Sequence, residues 1–203
     1  MIILELFSGT GSVSNICEKL GHTVVSVDIC DKFYKPTHCI DILRWDYTQY
    51  DKNHFDIIWA SPPCNTFSKM TFLTKNKQQE LNDELEFGLP LLRKTQEIIE
   101  YFNHKYHFIE NPATGRMGNY IDTKPKIVNY CQYGFKIQKR TSIWTNNDKF
   151  KPKRCFKKTC QWYGNHPHKI GTTRSGESDK LTKIELKYQI PHDLIKDLLD
   201  VDK

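Results

Sequence analysis

Cys64 closes the run Asp56-Ile57-Ile58-Trp59-Ala60-Ser61-Pro62-Pro63-Cys64, in which an apolar strand stops at two prolines and delivers a thiol. A strand ending in a stiff turn holds a nucleophile still, so the chemistry on offer is covalent attack by sulfur. Most cysteines outside disulfides are buried small hydrophobes, and Cys17, Cys30, Cys39 and Cys131 read that way. Cys64 differs because Asn65-Thr66 follows it, which places it in a turn rather than on a periodic apolar face. A second apolar run, Phe108-Ile109, ends as abruptly in Glu110-Asn111-Pro112. A half-buried glutamate there can donate or share a proton; its plainer role is to satisfy loop N–H groups.

Near the start of the chain, Ile2 to Leu6 is broken by Phe7-Ser8-Gly9-Thr10-Gly11. Glycines at that point let the backbone approach a ligand and turn helix-terminal N–H groups toward it, as nucleotide-binding turns do and as simple tight turns also do. A phosphate cradle favours Lys-Ser or Lys-Thr after the glycines, and Ser12-Val13 stands there instead. Asp28 ends the next β-branched run and is placed to accept hydrogen bonds from ribose hydroxyls. Asp41-Ile42 can embrace an adenine, the carboxylate meeting its amine and the isoleucine one face. Taken singly, each acid is equally a strand-end or capping residue; the ordered series of glycine turn, Asp28 and Asp41 is the signal.

The elements that must position these residues follow from periodicity. Val13, Ile16, Cys17 and Leu20 recur at helical spacing and stop at Gly21, so the chain opens as strand, glycine turn, helix. Thr23–Val27, His38–Ile42, Phe55–Ala60 and Tyr106–Glu110 are predicted strands. Polar residues from Asn65 to Glu84 predict a loop leading into a helix, and Gly88 and Pro90 are read as the entry of a helix carrying Leu89, Leu92, Ile99 and Phe102. Further on, Ile127, Val128 and Tyr130 suggest a helix, Phe135 to Trp144 a pair of strands, and Ile190-Pro191 the start of a final helix with Leu194, Ile195, Leu198 and Leu199. Strands alternating with helices indicate an α/β fold, an open, mainly parallel sheet covered on both faces, whose ligands bind beyond the carboxyl ends of the strands. Cys64, Glu110, the glycine turn, Asp28 and Asp41 all lie at such ends.

In 203 residues, 30 Lys plus Arg stand against 24 Asp plus Glu, a net charge of +6. From Lys149 to Gly176 no acid occurs, while Lys149, Lys151, Lys153, Arg154, Lys157, Lys158, Lys169 and Arg174 fall there with Phe150, Phe156, Trp162 and Tyr163 between them. A solvated loop would read this way; the interleaved aromatics favour a nucleic acid. Cys155, Cys160, His166 and His168 in the same stretch, with four, five and one residues between them, offer ligands for zinc, against a basic loop that binds no metal. Seven cysteines without a paired framework, together with an opening that shows no positive leader and no cleavage signal, lead to the expectation of a reducing cytoplasm, and no stretch has the length of a membrane span.

These motifs together resemble the cytosine-C5 methyltransferases of the DNA type. Leu6-Phe7-Ser8-Gly9-Thr10-Gly11 matches that family's cofactor loop, Ser61-Pro62-Pro63-Cys64 its nucleophile loop and Glu110-Asn111 its glutamate motif. Gln138-Lys139-Arg140, after Tyr133-Gly134-Phe135, resembles its glutamine-arginine motif. The small virus- and phage-type members are the most similar, and they imply an enzyme acting inside a host cell. The resemblance implies a Rossmann-like class I S-adenosylmethionine-dependent fold with the cofactor across Phe7, Ser8, Gly9, Gly11, Asp28, Ile29, Asp41, Ile42 and Pro63. It further implies that Cys64 adds to C6 of a flipped cytosine, that Glu110 meets N3, that Asn111 positions the loop, and that Arg140 holds the base O2 or a phosphate.

Two departures stand out: Pro112 where the family has valine, and Ser142 where it has a second arginine. The large recognition domain is also missing. Residues 1–148 are therefore expected to form the catalytic domain, 149–180 a short basic recognition-like insertion, and 181–203 a C-terminal helix packing back. DNA is the expected partner. RNA, tRNA above all, is the alternative acceptor, and a catalytically weak module binding S-adenosylmethionine or DNA is the reading from another class.

Overall fold

A computed structural model describes residues 1–67, 76–166 and 188–200. Among the described residues seven strands form one sheet: β1 (Ile2–Leu6), β2 (Thr23–Asp28), β3 (His38–Cys39), β4 (Ile57–Ala60), β5 (Tyr106–Pro112), β6 (Lys126–Asn129) and β7 (Arg140–Thr145). Their order is β3-β2-β1-β4-β5-β7-β6; the pairings through β5 are parallel and both pairings of β7 are antiparallel. The chain winds outward from β1 to β3, then returns to start β4 on the other side of β1. That reversal leaves a crevice beyond the carboxyl ends of β1 and β4, where doubly wound sheets take their ligands. This is the open, mainly parallel sheet expected from the alternation of strands and helices, in the Rossmann-like form that the resemblance implied.

Alternating strand residues divide the core between the two faces of the sheet. Ile3, Ile57, Trp59, Phe108, Val128 and Ile143 share one cluster with Val13, Ile16 and Cys17 of α1 (Ser12–Lys19) and with Leu194, Ile195 and Leu198 of the last helix. On the other face Leu4, Leu6, Val27, Ile58 and Ile109 meet Leu92, Ile98 and Ile99, backed by Trp45, Phe55 and Phe102. Leu194, Ile195 and Leu198 are wholly buried, worth about 1.5–3 kcal/mol each, which is enough to hold a two-turn helix that would not persist alone in water.

Three local expectations are corrected. The segment after the thiol loop begins a helix at α2 (Lys77–Asp83), because Asn76 and Gln79 close a reciprocal capping box. It runs on through a π-helical turn, Glu84–Gly88, into α3 (Leu89–Tyr101), so Gly88 and Pro90 lie within a continuous helical path rather than at an entry. The wider turn accommodates Pro90, which has no N–H to offer, and Gly88 is a contact point: a Cβ there would sit 2.7 Å from the Thr66 hydroxyl and 2.9 Å from the Phe67 ring. Second, Ile127 and Val128 lie in strand β6, not in a helix, and Tyr130–Tyr133 is a 3-10 turn. Third, Phe135 to Trp144 gives one strand, β7, whose partner in the antiparallel pair is β6. Four residues of β6 are too few to show a period of two. The final helix, α4 (His192–Leu199), starts after Pro191 and is tethered at its entry by Ile190 N–H donating to Ser12 Oγ at 3.3 Å. Among the described residues no helix is long and apolar enough to cross a membrane.

Candidate active site

The thiol loop is held from both sides of the crevice. Ser61 N–H extends the β1 ladder by donating to Leu6 O at 3.2 Å, and the Trp59 indole donates to Ser61 Oγ at 2.9 Å. Pro62 is buried, Pro63 exposed and Cys64 half-buried. Thr66 Oγ1 donates back to Pro63 O at 3.1 Å, and buried Phe67 accepts at its carbonyl from Arg116 N–H at 2.9 Å. Arg116 in turn pairs with Glu84, which the π-helical turn buries, and with Glu80 at 3.2 Å, so the helical path and the loop after β5 brace the same turn. None of the seven cysteines, all of which are described, is in a disulfide; Cys17 and Cys131 are buried, whereas Cys30 and Cys39 are exposed rather than packed away.

At the neighbouring strand end, Glu110 and Asn111 are both buried. Asn111 Nδ2 donates to Pro62 O at 2.9 Å, tying the end of β5 to the turn that carries Cys64. Glu110 lies on the face of β5 that carries Phe108, and there Tyr130 Oη donates to its Oε1 at 2.9 Å while Lys139 Nζ stands 3.4 Å from the same oxygen. Lys139 also lies over the Tyr130 ring, 4.7 Å from its centroid. Burial, then the Glu110 charge and its hydrogen bond, push the Tyr130 hydroxyl well above its ordinary range, and the Cys64 sulfur adds to the rise. Phenol and ammonium therefore both meet the Glu110 carboxyl, at the strand end that Asn111 ties to the Cys64 turn.

Register explains this grouping. Tyr130 N–H donates to Lys139 O at 3.0 Å, continuing the β6–β7 ladder one step past the Asn129–Arg140 pair and setting both side chains beside Glu110. Arg140 itself is exposed at the first position of β7. Ser142 is buried opposite Asn111. Sequence reasoning passed over Tyr130 and Lys139. The only signal in the chain was Lys139 between Gln138 and Arg140, and an antiparallel ladder that brings position 139 to position 110 is not written in either motif.

The glycine turn lies across the crevice. Phe7, Gly9 and Gly11 all have positive φ (61°, 51° and 66°), so the backbone coils into a left-handed arch that only glycine adopts without cost. Asp28, half-buried, accepts from Gly9 N–H at 2.8 Å and from Cys30 N–H at 2.9 Å, thereby fixing the arch to the end of β2; a carboxylate has lone pairs left for a ligand. Ser8 Oγ is buried with no hydrogen-bond partner among the described residues, and a Cβ on Gly9 would meet nothing nearer than Phe7 O at 3.9 Å. An orphaned hydroxyl beside open space is what a nucleoside-bearing ligand fills, so these residues fit S-adenosylmethionine. Asp41 accepts from Leu43 N–H at 3.0 Å. Ile42, expected to cover a base, is instead buried in the core with Trp45; Ile29, 72% exposed beside Asp28, offers the apolar face.

Under the arch Glu5 is buried on the α1 side of β1 and accepts from Ser14 N–H at 2.9 Å and from the Ser14 hydroxyl. Burial pushes its carboxyl up to about 7. It was not singled out in the sequence because an acid inside an apolar strand looks like an outward-facing residue.

Of the four expected metal ligands, three meet in the described structure. Cys155, Cys160 and His166 come together, but the fourth member of the cluster is Cys131, read from the sequence as a buried small hydrophobe; His168 lies outside the described residues. Cys131 follows Tyr130 directly, in the 3-10 turn beside the site. The exposed bases Lys149, Lys151, Lys153, Arg154, Lys157 and Lys158 belong to the segment that reaches this cluster, whereas Lys169 and Arg174 lie outside the described residues.

Comparison with known proteins adds three findings. The family model described as C-5 cytosine-specific DNA methylase matches residues 1–114. A probable DNA (cytosine-5)-methyltransferase of Frog virus 3 (isolate Goorha) is 40% identical, the match covering 99% of this chain and all of the viral protein. Among solved structures, the Entamoeba histolytica methyltransferase EhMeth superposes with a TM-score of 0.55 at 17% identity over 96% of this chain, and a mutant of Spodoptera frugiperda DNMT2 with 0.49 at 20% over 88%. The chain spans 64% and 61% of the lengths of those two structures.

Proposed function

The chain belongs to the C-5 cytosine-specific DNA methylase family, an S-adenosylmethionine-dependent DNA (cytosine-5)-methyltransferase, and we propose that it works through a covalent bond between Cys64 and C6 of a cytosine flipped out of duplex DNA. What carries this reading is the Asn111 amide donating to Pro62 O at 2.9 Å, which ties the strand end that bears Glu110 to the turn that bears Cys64. C5 of cytosine is a poor nucleophile until the ring is enriched in electrons. The thiolate of Cys64 adds to C6, Glu110 gives a proton to N3, and the negative charge that addition builds in the ring is neutralised where it forms. S-adenosylmethionine, when bound across the Phe7–Gly11 arch, Asp28 and Ile29, supplies an electrophilic methyl group for C5. With the methyl transferred and S-adenosylhomocysteine released, loss of the C5 proton to a base and return of the N3 proton to Glu110 let the C6–sulfur bond break, giving 5-methylcytosine and restoring Cys64.

Asn111 keeps the thiol loop in register through Pro62, and Arg140, exposed beside the site, is assigned to the base O2 or a flanking phosphate. Ser142 carries no charge, and we assign to Lys139 the electrostatic role of the arginine expected there, because its ammonium lies 3.4 Å from Glu110. Tyr130 and Lys139 together orient the carboxyl through its Oε1.

Duplex DNA carrying 5-fluorocytosine tests the assignment, since fluorine at C5 blocks the final elimination. We expect a denaturation-stable adduct at Cys64 in the presence of S-adenosylmethionine and none with Cys64→Ser. Lys139→Met should form it at least about tenfold more slowly, ~1.4 kcal/mol of transition-state stabilisation, with unchanged cofactor affinity. An adduct at another residue defeats the site assignment, and trapping on RNA in preference to DNA would move the substrate to RNA.

A further inference from the structure

We propose that Cys131, Cys155, Cys160 and His166 bind one zinc ion that staples the basic segment to the catalytic edge of the sheet. Their four donor atoms all lie within 4.8 Å of one another and all four residues are buried or partly so, with Trp162 packed against the cysteines. A tetrahedral zinc with sulfur at about 2.3 Å and nitrogen at about 2.0–2.1 Å sets such ligands about 3.6 Å apart. His166 Nε2 lies 3.6 Å from Cys155 Sγ and 3.4 Å from Cys160 Sγ. Three sulfurs and one imidazole in that arrangement suit zinc rather than a hard cation. Four protein ligands close the coordination shell, so the ion is structural and takes no part in the reaction.

The surrounding chain delivers the ligands. After β7 the chain turns at Asn146–Lys149, where Lys126 Nζ donates to the carbonyls of Asn147, Asp148 and Phe150 at 2.6, 3.0 and 2.9 Å. It then runs back along the outer edge of β6: Asn129 N–H donates to Lys153 O at 3.1 Å, and Cys155 N–H to Asn129 Oδ1 at 3.1 Å. Lys153 N–H donates to Tyr133 Oη at 3.0 Å, and its ammonium pairs with Asp197 of α4 at 2.6 Å. A tight turn, with Cys160 N–H donating to Phe156 O at 3.0 Å, brings the second thiol back. Cys131 belongs to the 3-10 turn that starts at Tyr130, so the ion would join exposed Arg154, Lys157 and Lys158 to the residue whose hydroxyl holds Glu110. Binding requires the three thiols to release their protons to solvent and His166 to be neutral.

Metal analysis of protein purified under reducing conditions without chelators tests this directly. We expect about one zinc per chain and, after replacement by cobalt, the visible absorption of a tetrahedral thiolate site. Cys131→Ser and Cys155→Ser should each lower zinc occupancy at least about tenfold, whereas Cys39→Ser, outside the cluster, should not. Stripping the metal should speed tryptic cleavage at Lys157–Lys158 at least about tenfold, because the segment then opens locally. Folded wild-type protein that holds no zinc and gives no tetrahedral cobalt spectrum would overturn the site. So would full zinc occupancy in Cys131→Ser, and unchanged cleavage would overturn the staple. Zinc content is read without activity, so metal-free protein that still methylates DNA would leave the catalytic assignment standing.

Discussion

Glu5 and His107 are buried or nearly so and pull stability in opposite directions with pH. The native Glu5 carboxyl keeps its proton up to about 7, against 4.5 for the ordinary group, because burial penalises its charge more than Ser14 can offset. Between those values the folded chain holds more protons than the unfolded one, so stability falls as pH rises through the window and levels off above it, by about 3 kcal/mol in all. His107, whose ring touches His104 at 3.0 Å, is pushed down to about 4 by burial and by that neighbour. Its contribution is present above 6.5 and is lost as pH falls toward 4. The two slopes largely cancel. Glu5→Gln keeps an acceptor for Ser14 and removes the ionisation, so relative to wild type it should gain about 3 kcal/mol between pH 4.5 and pH 8. Urea unfolding at both pH values measures this; parallel pH profiles for the two proteins would remove Glu5 from the account.

Among the elements, the glycine arch and the helical path after the thiol loop show how a backbone is bent to serve a site. Gly9 and Gly21 both have positive φ, at 51° and 80°, and neither has a neighbour that an added methyl would strike. Alanine at either position therefore carries a similar backbone cost, about 1–2 kcal/mol. Of the two, only Gly9 belongs to the arch we propose for the cofactor. Gly9→Ala is expected to weaken S-adenosylmethionine binding about tenfold or more, ~1.4 kcal/mol, while Gly21→Ala leaves it unchanged. Calorimetric titration decides between them, and equal affinities would mean that the arch does not cradle the cofactor. The π-helical turn shows the same economy: it presses Gly88 against Thr66 and Phe67 and turns Glu84 inward to Arg116, so the helix braces the Cys64 turn without supplying a catalytic group.

For the whole molecule, the decisive feature is where the basic segment ends up. It leaves β7 at the end of the sheet away from the site, yet its course along β6 returns it to the end where Tyr130, Lys139 and Arg140 stand. The described part of the segment thus places exposed positive charge at the same end of the sheet as Tyr130 and Lys139. Neutralising Lys151, Arg154, Lys157 and Lys158 together is expected to weaken DNA binding and to flatten its dependence on salt by roughly 2–4 in log–log slope, at about 0.9 per phosphate contact. Lys153 is left out because Asp197 already holds it. Binding measured across a salt series checks the prediction; an unchanged slope would reduce the segment to a solubilising loop.

Local order was legible in the chain itself. Glycine turn, strand-end acids, Pro-Pro-Cys and Glu-Asn each owe their meaning to adjacent residues, and apolar runs alternating with helical periods are enough to require a parallel sheet with its ligand beyond the strand ends. The mainly parallel sheet and the core on both of its faces followed from that alternation. What the folded chain alone decided were meetings between distant residues. Lys139 and Tyr130 reach Glu110 because an antiparallel register places them there, Cys131 joins Cys155 because β6 carries it to the returning segment, and Ile42 leaves the cofactor for the core. Periodicity fixes which face a side chain takes within one strand, but not which strand stands beside it; that is set by packing the whole sheet, where a one-residue slip of β7 would carry Lys139 away from the carboxyl it now holds.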